Sequence, residues 1–213
     1  MKLHVQLKKY LKKILFPGSE KYWERRYVRG GKSGGGSYDR LSEFKGEIIN
    51  SFMKGNGINS VMDFGCGDGN QLSLLDCPNY IGLDVSETAV ESCKKRFQKD
   101  TAKSFILYDP DHFGDDNPES KANLSLSLDV IYHLVEDHIF EQHVKHLFSA
   151  SNRFVIIYSS DFDLVPEAPH IKHRQFSKYV ETNLPEWKLI EKIKNRYPDE
   201  SCAEFFIYEK IKG

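Results

Sequence analysis

The stretch VMDFGCGDGNQL, residues 61–72, limits the folds open to this chain more than any other. An apolar run carrying an acid, Asp63, gives way at once to Gly65, Gly67 and Gly69 at alternate positions. Glycines at a strand end permit a tight turn and let a ligand approach the main chain with no Cβ in the way. The pattern predicts a strand over 60–64, a ligand-binding turn, and a helix after it. A dinucleotide turn has the spacing G-x-G-x-x-G and seats a pyrophosphate on a helix N-terminus. Here position 70 is Asn70, and Asp63 sets a carboxylate beside the would-be anion site. A ligand with positive charge suits the turn better.

The rest of the chain alternates in the same rhythm. Strands are predicted at 80–84, 103–108, 123–130 and 153–160, with helices over 38–53, 86–98 and 136–149 between or before them. In 86–98, Ser86 is placed to cap, and Ala89, Val90, Cys93 and Phe97 share one face. Strands separated by helices imply right-handed crossovers and a parallel sheet covered on both faces, a doubly wound α/β domain. WKLIEKI (187–193) and AEFFIYEKI (203–211) break the rhythm. With no helix-length insert between them they must pair as an antiparallel hairpin.

Composition narrows the function classes. The 213 residues suffice for one moderately large domain, and 30 Lys+Arg against 31 Asp+Glu leave no global field to attract nucleic acid. Cys66, Cys77, Cys93 and Cys202 form neither a disulfide framework nor a C-x-x-C metal pair, which fits a reducing cytoplasmic setting and no metal. No membrane-spanning run or signal peptide is read. In the first eighteen residues Lys2, Lys8, Lys9, Lys12 and Lys13 accompany an apolar stripe of Leu3, Leu7, Tyr10, Leu11 and Ile14. That basic amphipathic helix either touches an anionic membrane surface weakly or docks on its own domain or a twin subunit, in a monomer or homodimer.

The pattern D-x-G-x-G-x-G after a first strand resembles motif I of class I S-adenosylmethionine-dependent methyltransferases. Those enzymes have a seven-stranded Rossmann-like sheet whose last strand is antiparallel and enters through a hairpin, as 187–211 would supply. The resemblance covers about residues 40–211 and implies S-adenosylmethionine as cofactor and S-adenosylhomocysteine as product. It makes Asp63, Gly65, Cys66, Gly67, Asn70 and Gln71 cofactor-binding residues. Asp84, ending YIGLD, would accept both ribose hydroxyls, with Val85 and Ser86 beside the adenine and Asp109 near its amino group. SLDVIYHL would bring Ser127, Leu128 and Asp129 beneath the methionine moiety, with Tyr132 and His133 just beyond.

Methyl transfer from a sulfonium chiefly needs alignment, and a base helps when the acceptor is a hydroxyl. His133 is the candidate base, with Tyr132 and Asp129 as further catalytic candidates; the alternatives are a backbone-bonded His and a helix-capping Asp. His170, His173 and Arg174, in APHIKHRQF, are candidates for acceptor binding, Arg174 for a phosphate or carboxylate. No N/D-P-P-Y/F tetrapeptide follows the fourth strand, which disfavours base methylation of nucleic acid and favours a small-molecule acceptor.

RGGKSGGGSYDR, residues 29–40, looks like a phosphate loop, but Arg26 fills the position where G-x-x-x-x-G-K-S needs its first glycine. Residues 19–40 are read as a flexible lid hinged on these glycines, with Trp23, Arg26, Tyr27 and Tyr38 supplying acceptor contacts, or else as a linker. The division is then 1–40, N-terminal helices and lid, and 41–213, the methyltransferase domain. YWERRYVRGGKSGGGSYDRLSEFK, SLDVIYHL and HIKHRQF are similar to a bacterial subgroup tied to cell-surface polysaccharide modification, including sugar and capsular phosphoramidate methylation. An oxygen of such a precursor is the expected acceptor. N-methylation, a nicotinamide-dependent oxidoreductase and a non-catalytic cofactor-binding paralogue are the alternatives.

Overall fold

The computed structural model describes residues 15–114, 121–164 and 168–211; the basic helix expected over 2–14 lies outside them. Helix α1 spans Ser19–Val28 and α2 Asp39–Asn56. Then follow β1 (Ser60–Phe64), β2 (Asn79–Asp84), α3 (Glu87–Arg96), β3 (Lys103–Leu107) and β4 (Ala122–Leu128). Helix α4 (Asp137–Ser149), β5 (Ser151–Ser159), α5 (Phe176–Asn183), β6 (Trp187–Ile193) and β7 (Glu204–Lys210) complete the order.

The seven strands lie in the order β3-β2-β1-β4-β5-β7-β6. β1 to β5 are mutually parallel, while β7 runs antiparallel between β5 and β6, as the hairpin requires. Alternate residues along each strand face opposite sides, so the core has two halves. One packs Val61, Leu124, Leu126 and Ile156 against Phe44, Ile49 and Met53 of α2 and Val90 and Cys93 of α3. The other packs Met62, Phe64, Val155 and Ile157 against Phe140, Val144 and Leu147 of α4 and Phe176 and Val180 of α5. A parallel sheet buried on both faces has to read as near-continuous apolar strands, which FVIIY in β5 does.

Local signals end the elements as expected. Gly57 closes α2 in the left-handed region (φ 63°), and the Ser86 hydroxyl accepts the Ala89 amide at 3.1 Å to cap α3. One expectation fails: no α-helix follows the glycine turn. The chain from Gly65 to Pro78 contains only a 3-10 turn at Leu72–Leu74. Its sheet face is already covered by α2, where Gly46 lies so close to Leu74 that a Cβ would sit 3.1 Å away. Asn50 of α2 also donates to the Leu74 carbonyl at 2.8 Å and accepts from the Asp76 amide at 2.8 Å. A crossover helix has no surface left to bury.

Candidate active site

At the carboxyl ends of β1, β2 and β4 the structure opens a cleft of about 570 Å³, within the usual range for small-ligand sites. Its floor begins with the glycine turn. Gly65, Gly67 and Gly69 all take positive φ (91°, 58° and 73°), which explains why three glycines stand there. A Cβ on Gly67 would meet the Tyr27 hydroxyl at 3.0 Å, so the turn also admits the segment that crosses above it.

Asp84 ends β2 at the cleft wall and is nearly buried. Its Oδ1 accepts from the Ser86 amide and its Oδ2 from the Gly67 amide, both at 2.9 Å. Burial raises its pKa to about 6, against the lowering pull of those two amides. Val85, Leu128 and Asp129 line the same cleft. Asp63 does not reach it: the side chain is buried behind the turn, accepts from the Tyr80 hydroxyl at 2.7 Å, and is raised to about 6 by burial.

Beyond β4 the chain turns sharply, with Asp129 itself at φ 61°. Tyr132 donates to Asp129 Oδ1 at 2.8 Å, and Lys45 of α2, fully buried, reaches Oδ2 at 2.5 Å. His133 lies next, its Nδ1 3.0 Å from the His170 carbonyl. A carbonyl only accepts, so Nδ1 carries the proton and Nε2 keeps its lone pair. Burial lowers the His133 pKa to about 4, so the ring is neutral at neutral pH. The Trp23 ring meets it edge-on at 4.9 Å, and Tyr22 stacks on His170 at 4.6 Å.

Residues 15–40 form the roof. Ser19 donates to both Glu136 oxygens, through its amide at 3.0 Å and its hydroxyl at 2.6 Å. Glu24 accepts from the hydroxyls of Ser86 (2.5 Å) and Thr88 (2.7 Å). Ser33 donates its amide to Asp68 at 2.9 Å, the Tyr38 hydroxyl donates to the same carboxylate, and Asn70 donates to the Ser37 carbonyl at 2.7 Å.

Of the candidate site residues, the cleft brings together Trp23, Arg26, Tyr27, Gly65, Gly67, Asp84, Val85, Leu128, Asp129, Tyr132, His133 and His170. Others fall elsewhere. Cys66 and Gln71 are buried off the cleft, the latter donating to the Ser42 carbonyl at 3.1 Å. Asn70 and Tyr38 line a neighbouring groove with Lys32 and Arg96. Asp109 points to solvent and pairs with His112 at 2.7 Å, because Pro110 turns the chain so that Tyr108 and Pro110 face the cleft instead. His173 bonds the Ser160 hydroxyl at 2.7 Å. Arg174 is committed to Asp137 (2.8 Å) and to the Leu134 and Val135 carbonyls (2.5 and 2.8 Å), so it braces the start of α4 rather than awaiting an anion.

Sequence reasoning missed Lys45, Glu136 and His143. Lys45 had a signal: it stands four residues after Leu41 and three before Ile48, a charge inside the apolar stripe of α2. His143 lines the cleft from α4 and bonds the buried Ser127 hydroxyl at 2.9 Å; nothing in its sequence neighbourhood marks it.

The turn, the acid ending β2 and the strand order agree with one family. A model of the family described as "Methyltransferase domain" matches residues 57–204. The chain belongs to that family. Solved structures agree on the fold. The methyltransferase domain of bacterial CtHen1-C is 18% identical with TM-score 0.65, covering 81% of this chain and 100% of that one. Magnesium protoporphyrin IX methyltransferase (ChlM) from Synechocystis PCC 6803, with bound S-adenosylmethionine, is 15% identical with TM-score 0.65, covering 92% and 99%. The N-methyltransferase NodS from Bradyrhizobium japonicum WM9, in complex with S-adenosylhomocysteine, is 12% identical with TM-score 0.68, covering 92% and 100%. No curated protein sequence matches the chain.

This methyltransferase therefore uses S-adenosylmethionine, and its residues fit that ligand. The wall offers carboxylates at Asp84 and Asp129, and no helix N-terminus stands behind the turn to attract a pyrophosphate. Among the described residues no helix is long and apolar enough to cross a membrane, and no cluster of His, Cys, Asp and Glu is arranged to hold a metal.

Proposed function

We propose that the chain methylates an oxygen of a small molecule, such as a sugar, a nucleotide-linked sugar or a phosphorylated or phosphoramidate precursor of a surface polysaccharide. The observation that carries this reading is His133: a buried, neutral imidazole at the cleft, its Nδ1–H fixed by a carbonyl and its Nε2 lone pair left to take a proton. When bound, the cofactor supplies an electrophilic methyl group on a sulfonium. The chain's own residues do the rest. Asp84 would hold the ribose hydroxyls, Gly65 and Gly67 would let the amino-acid end approach the backbone, and Val85 and Tyr108 would line the adenine side. Residues 15–40 serve as a lid whose backbone and aromatic side chains exclude water from the acceptor. With Arg174 engaged, Arg26 and Lys21 are the cationic groups of the cleft wall available to a phosphorylated acceptor.

The test is S-adenosylhomocysteine release with panels of sugar phosphates, nucleotide sugars and small amines. Turnover of a hydroxyl acceptor is expected, with His133→Ala slowing it about 10²- to 10⁴-fold while cofactor affinity stays near that of the native chain. Turnover confined to amines would favour N-methylation, as in the N-methyltransferase NodS. Unchanged turnover in His133→Ala would remove the imidazole from the reaction.

A further inference from the structure

The site contains an ion pair that ligand binding in its simplest form does not require. Lys45 is completely buried, and its ammonium lies 2.5 Å from Asp129 Oδ2 and 5.3 Å from the Tyr158 ring centroid. Tyr132 donates to the other carboxylate oxygen. Burial and the adjacent Asp129 raise the Tyr132 phenol well above its ordinary range, so it remains a donor. Gly36 of the roof lies so close above that a Cβ there would sit 2.5 Å from Asp129 Oδ2. Gly36 does not take a positive φ, so its missing side chain is a matter of room for the carboxylate.

Asp129 follows β4, between the ribose-side Asp84 at the end of β2 and the acceptor-side His133. On the cofactor reading above, Asp129 would be among the residues facing the sulfonium end of the ligand. A sulfonium is positive in the reactant and loses that charge as the methyl group departs. An uncompensated carboxylate beneath it would stabilise the reactant more than the transition state and slow the transfer. It would also bind the cationic cofactor in preference to its neutral-sulfur product.

We propose that Lys45 is the charge-balancing positioning residue of the methyl-transfer site, cancelling Asp129 so that the floor keeps an oriented acceptor without net negative charge. The inference rests on the S-adenosylmethionine reading and concerns its electrostatics. An ion pair that merely tied α2 to β4 would, when broken, weaken both ligands alike. A charge balance changes their ratio.

The experiment measures dissociation constants of S-adenosylmethionine and S-adenosylhomocysteine by calorimetry at one pH near 7.5, on the full chain and three variants. Lys45→Met should raise the preference for S-adenosylmethionine over S-adenosylhomocysteine on the order of tenfold. Lys45→Met with Asp129→Asn, a neutral pair of similar shape, should return the ratio to the native value. Asp129→Asn alone leaves the ammonium and should lower the ratio, which keeps the test alive if Lys45→Met does not fold. A ratio unchanged in both single variants, or a shift that persists in the double variant, overturns the charge balance. Failure of the native chain to bind either ligand overturns instead the cofactor reading beneath it.

Discussion

Asp84 enters the free site with both oxygens already engaged by amides and with burial holding its pKa at about 6. Ribose hydroxyls need the ionised form as their acceptor, so cofactor affinity should be flat above pH 7 and fall as pH drops through 6. At pH 5 only about a tenth of the carboxyl is ionised, and binding of S-adenosylhomocysteine should be about tenfold weaker than at pH 7. Calorimetry on Asp84→Asn should show weaker binding with that pH dependence gone. The place of Asp84 at the cleft wall was legible because an acid ending the strand next after a glycine turn stands at the carboxyl edge of the sheet. Arg174 was not: HIKHRQF gives no hint that Leu134 and Val135 carbonyls, forty and thirty-nine positions away, claim its guanidinium. Asp109 was misread for a local reason, since the Pro110 that follows decides which neighbour faces inward.

At the scale of elements, periodicity carried the reading wherever one segment decided its own structure. β6 was predicted at its observed bounds, and α2, α4 and the β6–β7 hairpin within a few residues. The missing helix after the glycine turn depends on a different segment. α2 occupies the surface that such a helix would bury, and a helix without a face to bury has little tertiary support. Covering the sheet is therefore a principal task of α2. Ile49, on its inner face and fully buried, reports it. Ile49→Ala should cost about 2–5 kcal/mol in chemical denaturation, the usual range for a truncated core aliphatic. A loss under 1 kcal/mol would mean that α2 is held by its polar contacts instead.

Over the whole molecule, burial displaces two carboxyls and two imidazoles far, and in opposing directions. Asp63 and Asp84 rise from 3.8 to about 6, while His133 falls from 6.5 to about 4 and His143 from 6.5 to about 3. Between pH 6 and 4 the native state holds two extra protons on carboxyls and the unfolded state two extra on imidazoles. The difference, 2 − 2, is zero, so these groups leave unliganded stability nearly level across that window. Well above pH 6.5 neither imidazole is charged in either state. Below 4 the two carboxyls are protonated in both states, while His143 still resists the proton that the unfolded chain takes up. Glu24, Asp68, Glu136 and Asp137, all held below their ordinary values, add to the acid loss. His170 and His173, also lowered by burial, add a gentler loss within that window, so urea midpoints should fall slowly from pH 6 to 4 and steeply below it. His143→Gln removes one unfolded-state proton from the sum, so on acidification through that window its stability should gain on that of the native chain by on the order of 2 kcal/mol.

The family match starts at residue 57, yet α2 ends at Asn56. Cutting the chain where sequence similarity begins would strip the cover from one face of the sheet and take Lys45 with it. The recognisable module is thus smaller than the set of elements that closes the core. Core and catalytic floor share one helix, so variation in α2 that tunes the site must also satisfy the interior. The two cannot evolve as separate parts.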